Sequence, residues 1–327
     1  MQTYNRQEAI QRINQLSKTG KAFICLINYT QDCNYIEEVA QINPDELLYH
    51  FNGQSNYSQL GKAPQQTITW TPTPISFNDY LRSFNIVRNN ILIGNSFLTN
   101  LTCSTQVKTN LTLKDIFIRS TASYKIWLKG QFVCFSPEIF VRIHNGLIHS
   151  YPMKGTIDAT LPDAAQQLLD NPKEMAEHAT ITDLIRNDLS MVAKHVRVDR
   201  YRYTDEISTN RGRILQTSTE ITGELPNQYQ HHLGEILFKL LPAGSITGAP
   251  KRKTVDIIRQ AETYQRGFYT GIAGYFDGSS LDTAVMIRFI EEQAGKFFFK
   301  SGGGITFQSQ AKDEYNEMIQ KVYVPIY

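Results

Sequence analysis

Gly302, Gly303 and Gly304 stand in a row between the aromatic run Phe297–Phe299 and a polar stretch ending in strong helix formers, Ala311 to Val322. Three consecutive glycines weaken regular structure, and a chain tolerates them where its backbone turns with φ > 0 or lies close to another group. The phenylalanines predict a strand entering the glycines, and the later residues predict a helix. On that helix Glu314, Glu317 and Lys321 are spaced i, i+3 and i+7 and share one face. A backbone able to approach a ligand is thus followed by two carboxylates and an ammonium pointing one way. The same spacing also describes a solvated face with an ordinary ion pair, and spacing alone does not separate the two.

A second acidic pair bears on the choice. Asn171 and Pro172 form a good helix start, because Asn caps and Pro wastes no N–H at the first position. The helix they open carries Glu174 and Glu177, again i and i+3, and runs to Arg186-Asn187-Asp188. Four carboxylates on two helices either repel one another or hold a hard cation. Magnesium (Mg²⁺) suits such a set when one or two carboxylates bind it and substrate and water supply the other oxygens.

The chain has 327 residues and a net charge of +2, so composition implies no polyanionic partner such as nucleic acid. No apolar run approaches the roughly 18 residues of a membrane span, and the N-terminus lacks a signal-peptide pattern. Cys25, Cys33, Cys103 and Cys134 show no CxxC spacing, which suggests neither a zinc site nor a disulfide framework. The expected location is cytoplasmic.

Helical periodicity runs over residues 4 to 18, and Ala22 to Tyr29 reads as a strand. Asn52 to Pro74 reads as loops around a short strand near Thr67 to Trp70, followed by a helix through Tyr80, Phe84 and Val87. Asn145-Gly146 predicts a hairpin turn between Ile139–His144 and Leu147–Tyr151. Extended outward, that register sets Glu138 opposite Met153 and brings Glu138 and Lys154 to the hairpin's open end. An acid beside an amine there is either a general acid with a nucleophile or an exposed ion pair. A helix is expected from Pro250, with Lys251, Arg252 and Lys253 in its first turn, where the dipole disfavours cations unless an anion lies near. Residues 269 to 300 read as an antiparallel meander whose middle strand, Thr283 to Ile290, places Ala284, Met286, Arg288 and Ile290 on one face. Short antiparallel strands with helices between them predict an α+β fold.

Several of these blocks occur in the order found in one family. Gly94 to Leu101, Ser136-Pro137-Glu138, Pro152 to Thr156, Glu177 with Asp183 to Asp188, Pro242 to Lys251, Gly271 to Arg288, and Gly302 to Lys321 together resemble the chorismate-utilising enzymes. The resemblance implies one α+β domain over residues 1–327, with a two-sheet antiparallel β-sandwich core flanked by helices. Residues 1–85 would form a reduced N-terminal subdomain, and residues 86–327 the core carrying the active site. It implies that Glu177 and Glu317 bind Mg²⁺, with Glu174 and Glu314 close by. Lys321 and the Gly302, Gly303 and Gly304 backbone would hold the ring carboxylate of chorismate, and Tyr269 and Arg288 its enolpyruvyl carboxylate. Thr156 and Thr247 would line the pocket, and Glu138 would be the general acid.

Within the family, isochorismate- and salicylate-forming members carry a lysine base where this chain has Leu98. Anthranilate-forming members typically have alanine, and members resembling aminodeoxychorismate synthase component I typically have lysine, where this chain has Lys154. The resemblance therefore implies conversion of chorismate and ammonia to 4-amino-4-deoxychorismate, with an uncharged Lys154 attacking C2. Gln216 stands where a histidine is often found, and the Leu-Glu-Ser element of tryptophan-inhibited relatives is missing. Nothing resembles a glutaminase, so a separate glutamine amidotransferase subunit is the expected source of ammonia. The alternatives are anthranilate formation and a non-catalytic chorismate-fold binding protein.

Overall fold

A computed structural model describes residues 1–57, 67–209 and 212–326. The loop expected over 58–66 lies outside the described residues. The rest forms two antiparallel sheets packed face to face with helices on both outer surfaces.

The first sheet has the strand order β1 (Thr3–Tyr4), β3 (Asn34–Glu38), β2 (Phe23–Ile27), β16 (Ile272–Phe276), β17 (Leu281–Val285), β10 (Ile139–His144), β11 (Leu147–Ser150), β14 (Gly212–Glu224) and β12 (Met153–Asp158). A long strand, β13 (Lys194–Thr209), also pairs with β14. The second sheet runs β15 (Gly248–Ala249), β7 (Leu98–Thr109), β19 (Lys296–Ile305), β18 (Phe289–Gln293), β9 (Phe132–Ser136), β8 (Tyr124–Leu128), β4 (Leu47–Phe51) and β5 (Gln54–Ser55). Here β6 (Trp70–Thr73) pairs with β7. The N-terminal strands are thus woven into both sheets.

An aromatic layer that includes Tyr49, Phe51, Tyr124, Phe132 and Phe289 fills the space between the sheets. Outside the first sheet pack α1 (Arg6–Lys18), α4 (Ala164–Asp170), α5 (Pro172–Ser190) and α6 (Leu233–Leu240). Outside the second pack α2 (Phe77–Leu92), α3 (Leu113–Arg119), α7 (Lys251–Ala261) and α8 (Ala311–Gln320). The helix at the N-terminus, α1, buries Ala9, Ile10, Ile13 and Leu16, and α2 buries Tyr80, Phe84 and Val87. Asn5 caps α1 in a capping box with Glu8. Among the described residues no helix is long and apolar enough to cross a membrane.

Three expectations are corrected. The strand Thr283–Ile290 is two strands, β17 in the first sheet and β18 in the second, and Arg288 between them has φ 53°. Ala284, Met286, Arg288 and Ile290 therefore do not share one strand face. The Asn145-Gly146 turn pairs His144 with Leu147 as read, but the hairpin ladder ends at Arg142 and His149. Met153 pairs with Ser218 of β14 instead of facing Glu138, because Tyr151-Pro152 separates β11 from β12. The short strand near Thr67 begins only at Trp70. Of the two readings left open for the three glycines, close approach holds: β19 runs through them and pairs Gly302, Gly303 and Gly304 with Thr102, Leu101 and Asn100.

Candidate active site

The glycines explain why β19 must lack side chains at this point. A Cβ built on Gly302 would stand 2.2 Å from the Leu101 carbonyl oxygen, so that glycine permits close strand approach. At Gly303 the nearest atoms would be Glu314 Oε2 at 3.4 Å, Glu317 Oε1 at 3.5 Å and Lys321 Nζ at 3.8 Å. At Gly304 they would be Leu98 Cδ1 at 3.0 Å and Lys154 Nζ at 3.8 Å. One stretch of bare backbone thus faces the α8 carboxylates at one residue and the Lys154 amine at the next.

Glu314, Glu317 and Lys321 share one face, as their spacing predicted, and that face turns toward β19. Lys321 is paired there with Glu317 at 2.6 Å and donates to the Gly302 carbonyl at 2.9 Å, while Ser309 donates to Glu314 at 2.7 Å. Across the site, α5 begins where Asn171 accepts from the Glu174 N–H at 3.2 Å. Glu174 Oε2 would lie only 2.8 Å from a Cβ on Gly155, whose φ of +78° marks the irregularity between Lys154 and Thr156 in the β12–β14 ladder. Glu174 therefore stands beside the residue that follows Lys154. Glu177, one turn further along α5, is half-buried.

Glu138 and Arg288 occupy two of the places where the chain passes between the sheets, after β9 and before β18. The crossings are adjacent: the Val285 N–H donates to the Glu138 carbonyl at 3.0 Å, and the Phe135 N–H to the Arg288 carbonyl at 3.1 Å. Burial raises the Glu138 carboxyl above the usual carboxylate range, against the opposing pull of a Ser245 hydrogen bond and of Lys154 and Lys321. The Ser245 hydroxyl donates to Glu138 Oε1 at 2.5 Å. Glu138 and Lys154 thus come within electrostatic reach through the sheet crossing, by a different route from the hairpin register. Arg288 donates to the Lys321 carbonyl at 3.1 Å and lies over the Tyr323 ring. Tyr269 is buried, its hydroxyl held above its ordinary range first by burial.

Thr247 is fully buried, and its hydroxyl has no well-formed hydrogen bond among the described residues although Tyr29 lies near. Thr156 is exposed and pairs with Gln216, on the far side of the Gly155 irregularity from Lys154. Two neighbours were not singled out in the sequence. Ser245 lies 107 positions from its carboxylate partner, and only its place in a loop of otherwise small and apolar residues marks it. His178 follows Glu177, is wholly buried, contacts the Thr219 hydroxyl at 2.6 Å, and is held down to about 4 mainly by burial. Its i+4 spacing from Glu174 was a readable signal. The cations of the first turn of α7 find their anion in part: Lys251 pairs with Asp188 at the end of α5 at 2.7 Å.

Among the described residues no three His, Cys, Asp or Glu side chains gather closely enough to enclose an ion by themselves. Carboxylate oxygens are nevertheless the donor type that magnesium takes. Glu314 and Glu317 flank one bare backbone position, where a ligand can complete a shell of oxygens.

A two-sheet sandwich with this convergence of carboxylates, lysine and glycine backbone corresponds to a known class. The chain matches the chorismate binding enzymes over residues 27–326, and it belongs to that family. An uncharacterised PabA-like protein of Haemophilus influenzae is 49% identical over 320 residues, covering 98% of this chain and 97% of that protein. The aminodeoxychorismate synthase component 1 of Bacillus subtilis is 29% identical over 311 residues, covering 85% of this chain and 65% of that protein. The solved structure of MenF, the menaquinone-specific isochorismate synthase of Escherichia coli, superposes with a TM-score of 0.76 at 15% identity, covering 98% of this chain and 82% of that one. This last likeness concerns the fold alone.

Proposed function

We propose that this chorismate-binding enzyme is an aminodeoxychorismate synthase component I, converting chorismate and ammonia to 4-amino-4-deoxychorismate and water. The observation that carries the reading is Lys154 Nζ standing over Gly304, within electrostatic reach of a carboxyl that burial shifts above the usual carboxylate range. The lone pair of the Lys154 amine forms a bond to C2 of chorismate, the ring double bonds shift, and the C4–O bond breaks. Glu138 gives its proton to the departing hydroxyl, which leaves as water. Ammonia then bonds to C4, the double bonds shift back, and the Lys154 amine leaves C2 with its electron pair. The new C4 ammonium returns a proton to Glu138. Gly303 and Lys321 hold the ring carboxylate, while Arg288 and Tyr269 hold the enolpyruvyl carboxylate. Glu177 and Glu317 would hold Mg²⁺ with Glu174 and Glu314 beside them, and the ion when bound would stabilise charge on the ring carboxylate. Ammonia comes from a separate glutamine amidotransferase subunit.

Incubation with chorismate, Mg²⁺ and an ammonium salt tests the reading. 4-Amino-4-deoxychorismate identified by mass spectrometry is the expected product. Fluorescent anthranilate with pyruvate would replace the assignment by anthranilate synthesis, and unchanged chorismate under every nitrogen supply would replace it by a binding protein.

A further inference from the structure

Beneath the glycine strand lies a buried ion pair that takes no part in the chemistry above. Glu262 and Arg266 follow the last turn of α7, with side chains only 3% and 2% exposed. Arg266 Nε donates to Glu262 Oε2 at 2.9 Å and Arg266 Nη2 to Oε1 at 2.7 Å, a two-pronged pairing. Beyond each other, both partners bond mainly to backbone, with the Thr102 and Thr270 hydroxyls as the side-chain exceptions. Glu262 Oε1 accepts from the Thr102 N–H at 2.9 Å and from the Thr102 hydroxyl at 2.6 Å. Arg266 donates to the Asn100 carbonyl at 2.8 Å and to the Ile246 carbonyl at 3.0 Å.

The targets are the residues that the site depends on for its shape. Thr102 is the register partner of Gly302, and Asn100 is the partner of Gly304. Ile246 precedes the buried Thr247, whose carbonyl in turn accepts from the Asn100 N–H at 3.0 Å. A single ion pair therefore grips β7 on both sides of the position facing Gly303 and ties the Thr247 loop to the same strand. Glycines supply no side chains to fix their own position, so the placement of β19 must come from its neighbours.

We infer that Glu262 and Arg266 are positioning residues, setting the height and orientation of the Gly302–Gly304 backbone and of Thr247 beneath the bound anion. The consequence for turnover rests on the reaction proposed above; the consequence for the backbone does not.

Two variants test it. Arg266→Lys keeps the charge but loses the fork that reaches both carbonyls, and Thr102→Val removes one hydroxyl while leaving the N–H. Amide hydrogen exchange is read on peptides covering residues 98–104 and 300–306, with 23–27 and 272–276 as internal control. Exchange in Arg266→Lys is expected to rise roughly tenfold in the first pair of peptides and to stay unchanged in the control, with Thr102→Val falling between. With chorismate and ammonium, kcat/KM of Arg266→Lys is expected to fall on the order of a hundredfold, as for a misplacement of about 1 Å. Exchange rising equally in all four peptides would overturn the inference, and so would a loosened glycine strand with unchanged kcat/KM. The exchange measurement needs no turnover, so it decides the positioning whether or not the reaction holds.

Discussion

Alanine placed at each of the three glycines is expected to give three different outcomes, and the differences follow from the distances. At Gly302 the new Cβ would press to 2.2 Å from the Leu101 carbonyl and 2.6 Å from Thr102 Cα, both backbone atoms that yield only if β7 and β19 separate. Gly302→Ala is therefore expected to lose stability at or above the upper end of the ~1–3 kcal/mol typical of overpacking. At Gly303 the Cβ would meet nothing nearer than 3.4 Å, an ordinary contact. The φ there is not positive, so alanine introduces no backbone strain and removes glycine's extra entropy, a gain of roughly 0.5–1 kcal/mol. Gly303→Ala should thus be as stable as the native protein or slightly more so. Its methyl fills the space between Glu314, Glu317 and Lys321, where the ring carboxylate is proposed to bind, and KM for chorismate should rise at least tenfold, about 1.4 kcal/mol. Gly304→Ala, 3.0 Å from the movable Leu98 side chain, should be intermediate in stability and impaired in turnover by crowding Lys154. Urea unfolding and initial rates on the three variants supply the data. Native KM in Gly303→Ala, or equal stability loss at all three positions, would refute the reasoning.

Lys154→Ala should abolish formation of 4-amino-4-deoxychorismate from ammonia while leaving chorismate binding within about tenfold of native, as read by product analysis and by ligand-induced shift in melting temperature. For Glu138 the raised acidity range means that the protonated form persists upward in pH and turnover declines as pH rises through it. Because Ser245 pulls the other way, Ser245→Ala should move this alkaline limb to higher pH in a pH–rate profile. His178, neutral in the fold down to about 4 against 6.5 when unfolded, favours the unfolded state as pH falls through that window. Stability should decline by at most roughly 3 kcal/mol between those values and then level off. In His178→Gln this part of the decline should be missing from urea titrations taken at several pH values.

Local periodicity carried much of this site into view. The spacing of Glu314, Glu317 and Lys321 fixes a helix face whatever lies opposite, and Asn171-Pro172 marks the start of α5. Asn145-Gly146 likewise set its turn correctly. Reading failed where one element serves two sheets. Thr283 to Ile290 is apolar on both sides of the crossing, and nothing in the residue type of Arg288 announces a positive φ. The glycine run left two readings open because close strand approach and chain reversal both call for glycine, and only the partner strand distinguishes them. Glu262 and Arg266, four positions apart, have the spacing of surface decoration, and their burial depends on β7, 160 or more positions away in sequence.

The passage of the chain between sheets at Glu138 and Arg288 has a bearing on how the enzyme fails. The acid hangs from a bridge joining the two halves of the sandwich, the amine from an edge of one half, and the glycine floor from the other. Alignment of these proposed parts of the site is therefore a measure of how firmly the halves are clasped by the aromatic filling around Phe132 and Phe289. Damage to that filling, remote from any bound substrate, would silence the enzyme while its secondary structure was still intact.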